Sequence, residues 1–311
     1  MRSTTRLALC APFLSLLSSL PAQGLQLATS NVAPANNYFW SNVIFHLPTG
    51  PVTFPGHWYY GWYGSLDLGA TPTSVTTQAH AMSAASFSIL SGSSVDLVTT
   101  ASMPSPARVS IQVQAQLTFQ QTLTVALPLY DCGVDLGADG IDEFTNGPPS
   151  SAVTTLTTWC DSLGTPVRWH QHLEGFYDSG VLDATTTLSL QFDNPVQEAT
   201  YGPSCAGSLG CQRGAGQFDR IFVASLPGNT TFAWLMGGDA QWNVTFPGIG
   251  CPLLVDPQFI LAVPLQDGPN GRKYVDFEGT FPPIPGLTFY AQGVAVSGGA
   301  FVGTNGVRVQ T

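Results

Sequence analysis

From Val109 to Phe119 the chain reads VSIQVQAQLTF. Val109, Ile111, Val113, Ala115, Leu117 and Phe119 alternate with Ser110, Gln112, Gln114, Gln116 and Thr118. A strand turns successive side chains to opposite faces, so this rhythm commits the segment to a sheet with one face on a core and the other in water. Leu182 to Phe192 repeats the scheme, with Leu182, Ala184, Leu188, Leu190 and Phe192 inward and Asp183, Thr185, Thr187, Ser189 and Gln191 outward. Segments such as SNVIFHL, SVTTQAHAMSAASFSIL, RIFVASL, TTFAWLM, FILAVPL and KYVDFEGTF follow suit, and turn formers such as Thr49-Gly50-Pro51 and Asn305-Gly306 separate them. No capped helical periodicity accompanies them. The pattern predicts an all-β fold of two antiparallel β-sandwich domains, jelly-roll or immunoglobulin-like. Asp193-Asn194-Pro195 marks the seam, giving domains at 25–198 and 199–311.

Charge narrows the partners. Charged residues are 9% of the chain, with 9 Lys and Arg against 19 Asp and Glu, so no basic surface exists to neutralise phosphates and nucleic acid is excluded. The hydrophobic fraction of 44% supports a packed core and excludes wholesale disorder. At the N-terminus, Arg2 and Arg6 precede an apolar run from Leu7 to Leu20 and then small and turn-forming residues, the signature of a secretory signal peptide over residues 1–24. The run is shorter than the roughly 20 residues a membrane-spanning helix needs, which predicts no membrane insertion and a protein secreted or held in the cell envelope. The exported form is more acidic still, so anionic membranes and acidic polymers are poor partners; polysaccharide or other surface proteins remain.

Cys132, Cys160, Cys205, Cys211 and Cys251 survive processing. An oxidising compartment predicts two disulfides and one leftover thiol. Cys205 with Cys211 closes the shortest and most flexible loop, and Cys132 with Cys160 is the second expected bridge; the loop-entropy contributions are roughly 2.4 and about 3.6 kcal/mol. No CxxC spacing supports a cysteine metal site.

The stretch from Ala199 to Thr311 carries ATYGPSC (199–205), GCPLLVDP (250–257), VPL (263–265), NGR (270–272), GLTFYAQGVAV (286–296) and TNGVRV (304–309) in that order. On these pieces it resembles the C-terminal module of uncharacterised secreted bacterial β-rich proteins. The resemblance implies a small β module ending an exported protein, with no activity attached. The insert SLGCQRGAGQ departs from that pattern, adds Cys211, and leaves the module's cysteine pairing open.

Three places could carry chemistry. DCGVDLGADGIDEF, residues 131–144, gathers Asp131, Asp135, Asp139, Asp142 and Glu143 among glycines, a composition suited to oxygen ligation of Ca²⁺. It partly resembles the Asp-x-Asp-x-Asp-Gly calcium loops, with Asp135, Asp139 and Gly140 in first, fifth and sixth place. Gly137 in third place and Asn146 in twelfth forfeit two ligands, which favours the plain acidic hairpin. In TPVRWHQHLEGFY, residues 165–177, a strand would put Arg168, His170, His172 and Glu174 on one face, and two His at i and i+2 can share a metal. Gly164 followed by His-x-His resembles the opening of a cupin metal motif, but the Glu comes too soon and no later His completes it. A solvated face with Glu174 countering Arg168 is the better account; a metal would need His46, His57 or His80 as well. HWYYGWYG, residues 57–64, puts Trp58, Tyr60 and Trp62 in one row and His57, Tyr59 and Tyr63 in the other, so one row is exposed unless something covers it. Exposed rings at this spacing stack on sugars, although core and inter-domain packing is the favoured use.

No Gly-x-Ser-x-Gly elbow or phosphate loop occurs, and a glycosidase pair from Glu174 with Asp178 or Asp183 rests on availability alone. The sequence thus points to a secreted or surface-associated structural or binding protein, with calcium as a candidate stabiliser. The alternatives are a carbohydrate-binding module or glycan-active enzyme on the aromatic platform, and a metal-dependent enzyme at His170 and His172.

Overall fold

The computed structural model describes residues 24–38, 42–47, 50–55, 62–71, 73–85, 89–121, 129–146, 151–177, 180–245, 251–281 and 284–311. Among them the chain is nearly all strand, with a single 3-10 turn at Pro269–Gly271 and no helix long and apolar enough to cross a membrane. Residues 1–23 of the segment expected as a signal peptide lie outside the described residues.

In chain order the strands of the first half are β1 (Gln26–Tyr38), β2 (Asn42–Leu47), β3 (Gly50–Pro55), β4 (Trp62–Ala70), β5 (Ser74–Ala85), β6 (Ile89–Ser102), β7 (Ala107–Gln121), β8 (Leu129–Leu136), β9 (Phe144–Asn146), β10 (Ala152–Cys160), β11 (Thr165–Tyr177) and β12 (Gly180–Phe192). They pair as a five-stranded sheet, β1-β6-β11-β8-β9, and a seven-stranded sheet, β10-β7-β12-β5-β4-β2-β3. Among the described residues β2 and β4 are the one parallel pair. Two expected spans differ: SVTTQAHAMSAASFSIL is two strands rather than one, and Asp131 to Leu136 of the expected acidic loop belongs to β8.

The alternation in β7 and β12 does what it predicts. Val109, Ile111, Val113, Ala115, Leu188, Leu190 and Phe192 are buried in one cluster with Leu97 of β6, Val134 of β8 and Val167 and Trp169 of β11, while Gln112, Gln114 and Gln116 face water. This is the interior of two layers packed face to face. Trp169 is among the largest fully buried side chains, and its Nε1 donates to Thr77 Oγ1 at 2.9 Å, which satisfies the only polar atom the ring brings inside.

The second half contributes β13 (Ala199–Tyr201), β14 (Ser208–Arg213), β15 (Asp219–Leu226), β16 (Thr230–Gly238), β17 (Gln241–Thr245), β18 (Pro252–Val255), β19 (Phe259–Val263), β20 (Gln266–Asp267), β21 (Lys273–Thr280), β22 (Thr288–Ser297) and β23 (Ala300–Gln310). They form a five-stranded sheet β13-β23-β22-β16-β19, a four-stranded sheet β14-β15-β21-β20 and the pair β17-β18. A second cluster lies between the two larger sheets, built on Leu209, Cys211, Phe222, Ala224, Leu235, Val275, Ala291, Ala295, Val307 and Val309.

β15 is buried along almost its whole length. Phe222, Ala224 and Leu226 enter the second cluster, whereas Ile221 and Val223 turn the other way and join Tyr274 of β21 against Trp159 of β10. The four-stranded sheet is therefore covered on both faces, once by its own half and once by the first half.

Candidate functional site

The junction between the halves is polar at its heart. Asp161 directly follows β10 and is only 2% exposed. Its Oδ2 accepts from Ser225 Oγ at 2.6 Å and Tyr274 OH at 3.1 Å, and lies 3.4 Å from Arg272 Nε; its Oδ1 accepts from the Leu163 amide at 2.8 Å. Arg272 also donates to Ser225 Oγ at 2.5 Å and to the Ser225 carbonyl at 3.0 Å. Around this centre Trp159 stacks on Tyr274, with centroids 5.4 Å apart and planes at 13°, while its Nε1 donates to Asp276 at 3.3 Å. Arg108 of β7 pairs with Asp276 and Glu278, and Gln212 brackets the Arg108 backbone with bonds of 2.8 and 2.9 Å. Burial and the neighbouring Asp161 charge push the Tyr274 phenol well above its usual range. A serine, a carboxylate and a phenol in mutual contact resemble catalytic parts, but Ser225 is wholly buried, so no substrate reaches its Oγ. The cluster is a fastening.

Its members were invisible to pattern reading. Asp161, Ser225 and the Arg272–Tyr274 pair are far apart in sequence, and the local signal is a serine inside the apolar run RIFVASL.

On the outer face of the first five-stranded sheet, Arg168, His170 and His172 share one side of β11 as expected. Arg168 pairs with Asp96 of β6, its Nε donating at 2.8 Å with a second short bond from Nη2; the side chain of Glu174, the expected partner, lies outside the described residues. Cross-strand register explains the choice: β6 sets Asp96 and Val98 opposite His170 and Arg168. This guanidinium holds the Asp96 carboxyl below the ordinary carboxylate range. His170 lies over Gly133 of β8, where a Cβ would come within 2.4 Å of its Cε1; Asp131 is 3.6 Å from its Nε2 and Asp142 3.9 Å from its Nδ1.

The remaining acids of the 131–144 segment serve the segment itself. Asp135 accepts from the amides of Asp139 and Gly140 at 3.1 and 2.9 Å, Asp139 from Ile141 at 2.9 Å, and Glu143 from Leu136 at 2.6 Å. A groove of about 440 Å³ separates this loop from residues 267–271, but its third acid, Asp267, is paired with Lys273. Among the described residues no three His, Cys, Asp or Glu side chains are placed to hold one metal ion.

The aromatic platform at Trp58 and Tyr60 lies outside the described residues, as does His57, and so do the side chains of Trp62, His46, His80 and Glu174. A different row is present on the second half. Phe232 and Trp234 project two residues apart from the outer face of β16, and Phe301 of β23 joins them across β22. Centroids are 6.3 Å apart in both pairs, with planes at 23° and 30°. Phe232 is 64% and Phe301 48% exposed. The five strands of this sheet carry one charged residue, Arg308. The signal was available in TTFAWLM, whose Phe-x-Trp sits opposite the inward Ala233 and Leu235.

No protein-family model matches the chain, and no curated protein matches it. Functional inference therefore rests on geometry.

The cysteines differ from expectation. Cys205 is joined to Cys251 rather than to Cys211. Cys211 points with Leu209 from β14 into the second core, while Cys205 follows β13 outside it, its amide bonded to the Gly303 carbonyl. Cys132 and Cys160 are buried thiols in the first core instead of a bridge. Burial pushes the Cys160 thiol up to about 12 and raises Cys211 as well. Because the thiolate is the nucleophile, neither should react with Ellman's reagent at about pH 8 until denaturant is added; labelling of either within minutes in the native protein would contradict their placement.

Proposed function

We propose that the chain is an exported, non-catalytic binding protein that holds a neutral polysaccharide against the outer face of its second five-stranded sheet. The row Phe232, Trp234 and Phe301 carries this reading. Phe232 and Phe301, exposed on either side of the half-buried Trp234, offer neighbouring ring faces for pyranose rings to stack on, and contiguous exposed apolar surface marks a binding site. The almost uncharged sheet on an acidic chain favours a neutral polymer over an anionic one. Export is supported by Arg2 and Arg6 ahead of the Leu7–Leu20 run and by the Cys205–Cys251 bridge, which suits an oxidising compartment. The motifs that residues 199–311 share with secreted β modules point the same way. Calcium has no part in the proposal, because among the described residues no three acidic side chains are placed to hold one ion.

The test is retention on insoluble neutral polysaccharides and a glycan array. The wild type should bind at least one neutral glycan, and Phe232→Ala/Trp234→Ala should weaken that binding at least about tenfold, or 1.4 kcal/mol, with an unchanged circular dichroism spectrum. No neutral glycan bound, or binding unaltered in the double variant, overturns the reading.

A further inference from the structure

β19 ends its sheet. It pairs with β16 on one side and with no strand on the other among the described residues. Such an edge presents unpaired N–H and C=O groups that only water or another extended strand can satisfy, and folded proteins block it with brevity, charge, proline or bulges. Most other edges of this chain are blocked. β1 contains Pro34 and two register shifts, β3 contains Pro51 and Pro55, and β9, β13 and β20 are 3, 3 and 2 residues long. β14 is occupied by residues 196–198: the Arg213 amide donates to the Val196 carbonyl, the Glu198 amide donates to the Cys211 carbonyl, and Gln197 bridges Gln212. β10 is long and open, but two of its three exposed positions, Thr155 and Thr157 beside Val153, are polar. β19, Phe-Ile-Leu-Ala-Val, has no charge, proline or polar side chain, and its Phe259, Ile260 and Ala262 are exposed.

We infer that β19 pairs antiparallel with β19 of a second copy of this chain, forming a two-fold dimer with one continuous sheet. The unmade backbone bonds specify an extended strand as the occupant, and the side chains specify this one. Centred on Leu261, the pairing sets Phe259 opposite Val263 and Ile260 opposite Ala262, large against small on both faces, as an isologous contact requires. The two-fold axis stands perpendicular to the sheet, so the Phe232–Trp234–Phe301 rows of both copies lie on the same face. The dimer goes beyond the glycan reading and does not depend on it; where both hold, the second row engages the same polymer as an intramolecular event.

Sedimentation of the exported chain should show a monomer–dimer equilibrium resolved below about 100 µM. Hydrogen exchange of the β19 amides should slow as concentration rises. Ile260→Lys/Ala262→Lys places charge only at exposed positions and should raise the dimer Kd at least about tenfold with the dichroism spectrum retained. Thr155→Lys on β10 and Trp234→Ala should leave the dimer intact. A wild type that stays monomeric, with β19 exchange independent of concentration, overturns the inference. So does a dimer that survives the double lysine variant or is lost with Thr155→Lys. Loss of glycan retention in Trp234→Ala with the dimer kept separates the two proposals.

Discussion

Asp161→Ala should lower stability by about 3–5 kcal/mol, the usual cost of removing one member of a buried charged network. The substitution strips an acceptor from Ser225, Tyr274 and the Leu163 amide and removes the carboxylate beside the part-buried Arg272 guanidinium. Because these donors come from both halves of the chain, the loss should fall on the whole molecule. Urea denaturation should shift to lower midpoint while remaining one transition. Asp139→Ala is the comparison: among the described residues its exposed carboxylate accepts a hydrogen bond from Ile141 alone, and its loss should cost about 1 kcal/mol or less. Equal costs for the two variants would show that the junction network is not what fastens the halves.

Removing the Cys205–Cys251 bridge should be as severe. The sequence separation is 46, and the chain-entropy relation for a loop of that size gives about 4 kcal/mol. For a chain of this size that corresponds to roughly 6 °C in melting temperature. Cys205→Ser/Cys251→Ser and wild type treated with dithiothreitol should melt alike, both well below untreated protein. A melt indifferent to reductant would mean that the β17-β18 pair is held by its other contacts, such as Gln292 of β22 accepting from the Leu254 amide at 2.8 Å.

The layers were legible in the sequence because burial follows side-chain parity, which β7 and β12 display without interruption. Parity also placed Arg168, His170 and His172 on one face. Which partner each finds is a matter of register between strands, and that is why Arg168 meets Asp96 of the neighbouring β6. The disulfide was misassigned for a related reason. Loop entropy ranks pairs by separation, but Cys211 belongs to a strand that turns it inward, so its nearness to Cys205 along the chain counts for nothing. The acidic loop shows another limit: a count of carboxylates says nothing of the backbone amides of the same tight loop, which donate to Asp135, Asp139 and Glu143. The exposed aromatic row was legible in principle, since Phe232 and Trp234 keep the spacing noticed at Trp58, Tyr60 and Trp62.

A four-stranded layer clothed on both sides has a practical meaning for anyone wishing to transplant residues 199–311 onto another carrier. Excised at the seam, that piece would bare Ile221, Val223 and Tyr274 as a sticky patch and strand Arg272 without its counter-ion. What reads along the chain as a detachable cassette is, in three dimensions, half of a glued joint.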